Sequence, residues 1–237
     1  MMIKRKLSLL FFAVFVIFIF GCGRSTPEQS LIKKVNADDK NFRGKWVYKS
    51  QIAGQFTYSV RTRIYIKVNG KKFHLIAKWT EANPPSERRT EEWVYDGKVL
   101  WQLIPSQKQA DWLEIKGFKK GPFWKMPPRM KPFAPPKETG KEEIIAGRIC
   151  KVLQTRGKYD QGDVTLTYWV DKEKNLLLKK EHLLEAGGLT LIHEAYECES
   201  IEFAPAFPEG AFEVNIPSDW VKVKKRHLDC ELLNTKF

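Results

Sequence analysis

Apart from one stretch near its N-terminus, the 237-residue sequence has no long apolar run, which excludes a polytopic helical membrane protein. It also has no heptad pattern and no glycine at every third position, so coiled coils and collagen are excluded. Hydrophobic residues make up 43% and charged residues 29% of the chain, which is compatible with a globular core. With 15 glycines, 13 prolines and 13% aromatics, the composition favours many turns and a strand-rich body, most simply one β domain.

The sequence also lacks the short motifs of common enzyme classes. There is no G-x-S-x-G elbow, no P-loop, no dinucleotide fingerprint and no CxxC or Cys/His metal spacing. The stretch that starts His193-Glu194 resembles the zinc-peptidase motif HExxH, but its fifth residue is Glu197 and its surroundings predict a strand, whereas the motif needs a helix. We therefore predict that the protein is not an enzyme and has no cofactor.

The single apolar run follows a basic N-terminus. Residues 4–6 are all basic, and residues 7–20 are apolar apart from Ser8. This pattern is typical of a signal peptide, and the run is shorter than the roughly 20 residues that a membrane-spanning helix needs. The alternative is an uncleaved membrane anchor.

The end of this run, Gly21-Cys22, resembles the bacterial lipobox, although Phe20 is larger than the residue usual at that place. The resemblance implies that residues 1–21 are a lipoprotein signal peptide and that Cys22 carries the palmitate-like acyl chains of a membrane anchor. Gly23 follows in place of the aspartate that often retains lipoproteins at the inner membrane. This implies the periplasmic face of an outer membrane where one exists, and otherwise the outer face of the cytoplasmic membrane.

Basic residues outnumber acidic residues by 41 to 28, a net charge of +13. Loss of residues 1–21 removes three basic residues and no acidic one, so the mature charge is +10. Such a charge favours anionic lipid head groups or anionic cell-wall polymer. The export signal argues against nucleic acid as the partner, and a merely solvated basic face is the alternative.

Few cysteines and histidines are available for disulfides or metals. Once Cys22 is lipidated, Cys150, Cys198 and Cys230 remain. One disulfide, such as Cys198 with Cys230, and three buried free thiols are both consistent with this number.

A turn of even length at Gly187-Gly188 would place His182 opposite His193. That pair would be half a metal site or a pH-sensitive contact, but no third ligand is visible, and two surface histidines are the commoner outcome.

Two turn signals predict β-hairpins. Asn69-Gly70 would pair Ile66 with Phe73 and Ile64 with Leu75, and Asp96-Gly97 would pair Tyr95 with Lys98. The first register gathers apolar side chains on one face and polar ones on the other, so turn and polarity agree. Further strands are predicted over residues 111–115, 143–154, 164–170, 176–184, 189–203 and 212–216.

The predicted domains are a tether over residues 22–41, a β domain over 42–222 and a C-terminal tail over 223–237. Residues 117–140 contain six prolines, which exclude a continuous helix or a central strand. This segment is either a plug that completes the core or a lid with membrane contacts, made by the aromatic and methionine side chains Phe118, Phe123, Trp124, Met126, Met130 and Phe133.

The order of four motifs resembles the LolA/LolB-like superfamily over about residues 42–220. They are the Asp-Gly and tryptophan hairpin of residues 93–101, the glycine-marked strand of 146–153, the Trp-Asp-leucine hairpin of 168–178 and a last short strand at 212–217. The resemblance implies a mainly β fold, in which a curled antiparallel sheet forms an incomplete β-barrel plugged by loops or short helices. Members of the superfamily carry lipoproteins, bind lipids or sense mislocalised lipoproteins.

From these observations we expect a lipid-anchored envelope protein that binds a lipid, a lipoprotein acyl chain or another hydrophobic ligand in a concave cavity. The apolar face of the first hairpin supplies the candidate lining: Tyr58, Val60, Ile64, Ile66, Phe73, Leu75 and Trp79. If the sheet closes on itself, the same residues are plain core. The alternative function is a non-enzymatic interaction or sensory subunit that docks a protein partner through its sheet face.

Overall fold

A computed structural model describes residues 41–53, 58–83, 89–115, 133–230 and 235–236. The predicted signal peptide and Cys22 lie outside these residues, as does nearly all of the tether. Five of the predicted lid residues also lie outside them: Phe118, Phe123, Trp124, Met126 and Met130. No helix in the described part of the chain is long and apolar enough to cross a membrane.

Within the described residues, twelve strands form one open sheet in the order β12-β6-β5-β4-β3-β2-β1-β11-β10-β9-β8-β7. The strands are β1 Asn41–Ile52, β2 Tyr58–Asn69, β3 Lys72–Asn83, β4 Thr90–Tyr95, β5 Val99–Ile104, β6 Gln109–Glu114, β7 Lys137–Ile145, β8 Arg148–Tyr159, β9 Gly162–Asp171, β10 Leu177–Ala186, β11 Leu189–Phe203 and β12 Val221–Lys224. β13 Asp229–Cys230 and β14 Thr235–Lys236 form a separate pair, and a 3₁₀ turn, Pro105–Gln107, links β5 to β6. The predicted mainly β, open and incompletely closed sheet is confirmed.

Two meanders meet at the middle of the sheet. β1 to β6 run outward in sequence order on one side, and β11 back to β7 run outward on the other. The antiparallel pairing of β1 with β11 joins the two, from Phe42 opposite Phe203 to Ile52 opposite Ile192. All neighbouring strands are antiparallel except β12, which runs parallel to β6 and which the sequence did not predict.

The predicted register of the first hairpin is wrong by two residues, although its faces are right. The structure pairs Ile66 with Leu75 and Asn69 with Lys72, so the turn is Gly70-Lys71. Asn69 stays in the ladder because it also pairs with Asn41 of β1. Gly70 has a φ of +61° at the first central position, as a type II′ turn requires. A shift of two residues leaves each side chain on its predicted face.

The second hairpin differs from its predicted register by two residues as well. Tyr95 pairs with Leu100 instead of Lys98. Asp96 accounts for the longer turn, because its Oδ1 accepts hydrogen bonds from the backbone N–H groups of Lys98 and Val99 at 2.8 and 2.7 Å.

Two other strand predictions are wrong. Residues 143–154 are split by a turn at Ala146-Gly147, where both residues have positive φ. Phe212 and the residues up to Ile216 form no strand; the chain pairs with β6 only from Val221 onward. Residues 137–140, assigned to the plug, belong to β7.

Buried side chains form two clusters. The first combines Phe42 and Trp46 of β1 with apolar residues of β2 to β5 and with Val152 and Trp169 of the β8–β9 hairpin. The second surrounds Leu166 and Tyr168, on the opposite face of the same hairpin. The β8–β9 hairpin is therefore buried on both faces, which explains its near-continuous apolar sequence.

Phe133, a predicted plug or lid residue, lies in the second cluster and is buried. Its ring packs edge-on against the ring of Tyr159 and covers Gly157 of β8. Next to it, the Thr155 hydroxyl donates a hydrogen bond to the carbonyl of Ala134 at 2.8 Å. The chain therefore enters β7 across this face of the sheet.

We expect Gly157→Ala to destabilise the protein through Phe133. A Cβ at position 157 would lie 2.3 Å from that ring, so the ring must move, at a cost of about 1–3 kcal/mol. In a Phe133→Ala background the same change should cost little. Urea unfolding of the two single variants and the double variant measures this coupling, and additive effects would contradict the contact.

A buried carboxylate fixes the end of the β8–β9 hairpin. Asp171 is fully buried and accepts hydrogen bonds from Arg148 Nε at 2.6 Å and from the backbone N–H groups of Glu173 and Lys174. Burial alone would raise the pKa of Asp171, but the hydrogen bonds from Arg148 and from the backbone outweigh it, so the pKa is lowered.

Asp171→Asn should lower the free energy of unfolding by about 3 kcal/mol, because it removes the buried negative charge that pairs with Arg148 and accepts the backbone hydrogen bonds of the turn. Since folding lowers the pKa of Asp171, its contribution to stability is present above the unfolded pKa near about 4 and is lost as the pH falls through the folded pKa. Urea titrations at several pH values should show a smaller acid dependence in the variant. Glu173→Gln is the control, because Glu173 is exposed and its pairing with Arg148 contributes about 1 kcal/mol or less.

The structure shows whether two of the cysteines form disulfides. Cys150 and Cys198 are buried free thiols, so the Cys198–Cys230 disulfide is absent. Burial raises the pKa of Cys150 to about 11 and that of Cys198 to about 12, so both thiols are protonated and unreactive at neutral pH.

Candidate functional site

One face of the sheet, here called the inner face, is traced by a row of cross-strand neighbours. The row runs from Thr62 through Tyr48, Tyr196 and Lys180 to Tyr168, across β2, β1, β11, β10 and β9. The rings of Tyr48 and Tyr196 stack with their centroids 4.4 Å apart. Because side chains alternate between faces, the row fixes which residues of all five strands share this side.

The adjacent row of the inner face is also polar at its centre. It places Ser50 opposite Glu194, and Glu194 opposite His182. We call the central residues of the two rows the polar band: Thr62, Tyr48, Tyr196, Lys180, Ser50, Glu194 and His182.

Apolar rows lie on both sides of the polar band. On one side, Trp46 stands between Ile64 and Cys198, deep in the first cluster. On the other side, Ile192 lies between Ile52 and Leu184. Ile52 is exposed and Ile192 is half-buried, so this second row is the open end of the inner face.

Glu194 organises the polar band. Its two carboxylate oxygens accept hydrogen bonds from the Tyr48 hydroxyl at 2.9 Å and contact His182 Nδ1 at 2.9 Å. The contact with His182 is the largest cause that lowers the pKa of Glu194, and it outweighs the opposing effect of burial, with help from Tyr48 and from the nearby charge of Lys180. Glu194 is therefore an anion that is already bound on both oxygens.

Lys180 differs from the rest of the band. It is half-buried, and in the part of the chain that the structure describes no residue forms a hydrogen bond or an ion pair with it. Burial lowers the pKa of Lys180, and the neighbouring Glu194 only partly opposes this. Thr62 is fully buried, and its hydroxyl likewise has no hydrogen-bond partner among the described residues.

The predicted cavity-lining residues divide into two groups. Val60, Ile64, Ile66, Phe73 and Leu75 are buried, four of them in the first cluster, whereas Trp79 is half-buried at its margin. The side chain of Tyr58 lies outside the described residues. The role of these residues as ligand contacts stays a prediction. The sequence did not indicate the polar band, because the band depends on the cross-strand register of β10 and β11.

The predicted pairing of His182 with His193 is wrong. A β-bulge after Leu184 shifts the register by one residue, so His182 faces Glu194 and His193 faces Leu183. The two histidines lie on opposite faces, and His193 contacts Glu181 at 3.0 Å. Among the described residues, no group of three His, Cys, Asp or Glu side chains could hold a metal ion.

The outer face of β1 to β3 is strongly basic. Exposed Lys45, Lys49, Arg63, Lys67 and Lys78 alternate with the buried residues of these strands, and none of the five is in an ion pair with a described residue. The ring of Tyr65 lies between Lys45 and Lys78, at 6.0 and 5.9 Å from their amines. A groove of about 560 Å³ runs along this face.

No family model and no curated protein matches the chain. The solved structures that resemble it include an uncharacterised conserved protein from Thermus thermophilus, with 10% identity, coverage of 83% of this chain and 98% of that one, and a TM-score of 0.43. They also include MucB in complex with MucA, with 17% identity, coverage of 81% of this chain and 60% of MucB, and a TM-score of 0.44. A third is a LolA superfamily protein from Nitrosomonas europaea, with 16% identity, coverage of 79% and 97%, and a TM-score of 0.34.

Proposed function

We propose that the chain is a lipid-anchored protein of the bacterial cell envelope that binds a hydrophobic or lipid-like ligand on the inner face of its sheet. The observation that carries this proposal is the incomplete coverage of that face. Among the described residues of this face, Ile52 is exposed, and Trp79, Tyr48, Tyr196 and Ile192 are half-buried. The lipobox-like end of the apolar run at Cys22 supports the anchor and the location.

The expected contacts follow from burial. A ligand that covers the open row would remove apolar surface of Ile52, Ile192 and the stacked tyrosines from water, worth about 25 cal/mol for each Å². The deeply packed candidates Ile64, Ile66 and Leu75 would contact a ligand only if the core opened. We therefore place the first contacts at Ile52, Ile192, Tyr48 and Tyr196.

A photoreactive diazirine analogue of oleyl alcohol tests this proposal on the full chain in dodecyl maltoside. We expect cross-links in the peptides of β1 and β11, and at least a fivefold loss of labelling in Ile52→Glu, because a charge at the open row costs more to desolvate. Leu189→Glu is the matched control: Leu189 is also exposed, but it is the first residue of β11, next to the Gly187-Gly188 turn and away from the row of Ile52 and Ile192. Labelling that is unaffected by Ile52→Glu, or that is spread over exposed surfaces, would contradict the proposal.

A second candidate function, docking on an anionic surface, is favoured by the basic outer face. Five exposed basic side chains without described ion-pair partners would each gain when phosphates of anionic lipids approach, by about 1 kcal/mol per residue. A protein bound to a membrane through Cys22 would have such a surface within reach. A partner with an acidic face is the other occupant to test.

Lysine acylation of the reconstituted full chain distinguishes the occupants. In vesicles that contain phosphatidylglycerol, Lys45 and Lys67 should be modified several times more slowly than in pure phosphatidylcholine, and the protection should disappear at high salt. Exposed Lys141 of β7 is the control. Equal modification in both vesicles would argue against lipid and leave an acidic protein as the partner of this face.

A further inference from the structure

We propose that Lys180 binds the acidic head group of an amphiphilic ligand, a carboxylate or phosphate on an acyl chain, while the open apolar row of Ile52 and Ile192 beside the polar band holds the chain. This inference rests on the proposed function and specifies its ligand. It assigns a head-group site to a residue of β10 in the middle of the inner face.

The first argument is that, among the described residues, no neighbour of Lys180 satisfies its amine. In the same row it stands between Tyr196 and Tyr168, two aromatic side chains. The nearby acid, Glu194, uses one oxygen for Tyr48 and the other for His182. Lys180 and Glu194 form no ion pair within 4.0 Å, although the charge of Glu194 acts on the pKa of Lys180.

The second argument concerns the energy of a half-buried amine. Moving an ammonium group from water into apolar surroundings is costly unless a counter-charge and hydrogen bonds replace the water. Burial lowers the pKa of Lys180, so this cost is present in the ligand-free protein. An acid group at the amine would supply both the counter-charge and the acceptor, whereas a neutral ligand would supply no counter-charge.

The third argument is the arrangement of polar and apolar atoms along the row. Thr62, at the far end of the band, offers a second buried polar atom without a described partner. It lies three strands from Lys180, or about 14 Å at the usual strand spacing of about 4.8 Å. Leu166, Leu184 and Ile192 lie on the same face, in the row of His182 and in the row beyond it. This arrangement fits a long molecule with an acidic end and apolar flanks.

The test compares two photoreactive probes on the full chain in dodecyl maltoside at pH 8: diazirine oleic acid and diazirine oleyl alcohol. They differ only in the head group. We expect the acid to label β9–β11 peptides at about tenfold lower concentration than the alcohol, because hydrogen bonds to charged groups are stronger than neutral ones. Lys180→Met should remove this difference by weakening labelling with the acid relative to the alcohol.

Lys179→Met is the matched control, since Lys179 is the preceding residue of β10 and lies on the opposite face of that strand, over the ring of Trp169 and 3.4 Å from Glu197. It should keep the preference for the acid. Thermal unfolding followed by circular dichroism checks that each variant folds, and the comparison of the two probes on the unchanged chain needs no variant at all. A lysophosphatidic acid probe distinguishes a phosphate from a carboxylate as the preferred head group.

The outcomes separate the two proposals. Equal labelling by acid and alcohol on the unchanged chain, or an acid preference that survives Lys180→Met, would overturn the head-group site while ligand binding stands. Failure of both probes to label the inner face would remove the proposed function and the head-group site together.

Discussion

The pairing of β1 with β11 is the contact on which the rest of the structure depends. Each meander alone is a local arrangement of neighbouring hairpins with one apolar face. Pairing the first strand with a strand more than a hundred residues later joins them into one sheet and buries Phe42 and Trp46 between the halves. Such a pairing costs loop-closure entropy that local hairpins do not. The rows of the inner face exist only because this ladder aligns β2 with β10 and β9.

β-Bulges determine which polar side chains lie on the inner face of the sheet. Because side chains alternate along a strand, a one-residue insertion moves every later side chain to the other face. The irregularity after Leu184 brings Glu194 opposite His182 and sends His193 outward. Without it, the ladder would set His182 opposite His193. The contact between Glu194 and His182 in the polar band is thus a consequence of one local irregularity in the β10–β11 hairpin.

The same bulge explains much of what the sequence could and could not predict. Polarity alternation predicted the mainly β class and placed Ile64, Ile66, Phe73 and Leu75 on a common buried face, because faces survive a shift of two residues. The predicted pairing register was wrong in two hairpins. At Asp96 a side chain lengthens the turn, and at Asn69 the pairing with β1 moves it. The position of a bulge depends on packing between distant strands, so no local pattern signals it. Turn signals also cannot predict a parallel strand such as β12, because no hairpin turn joins it to its neighbour β6.

The side chain whose burial costs stability without a visible structural return is Lys180 of the polar band, and not a residue of the core. A methionine at position 180 would fill similar space without a desolvation cost, and replacing buried polar groups by apolar ones is often neutral or stabilising. An amine between Tyr196 and Tyr168 that has no partner among the described residues therefore costs stability at that point. Proteins tolerate such local conflicts chiefly where function requires them. The same reasoning does not apply to Arg148, whose charge is satisfied by Asp171 and Glu173 and which serves the hairpin end. Arg148 is a paired cation that holds the fold, whereas Lys180 on the inner face has no ion-pair partner in the described part of the chain, and this contrast is the reason to look for the ligand at Lys180.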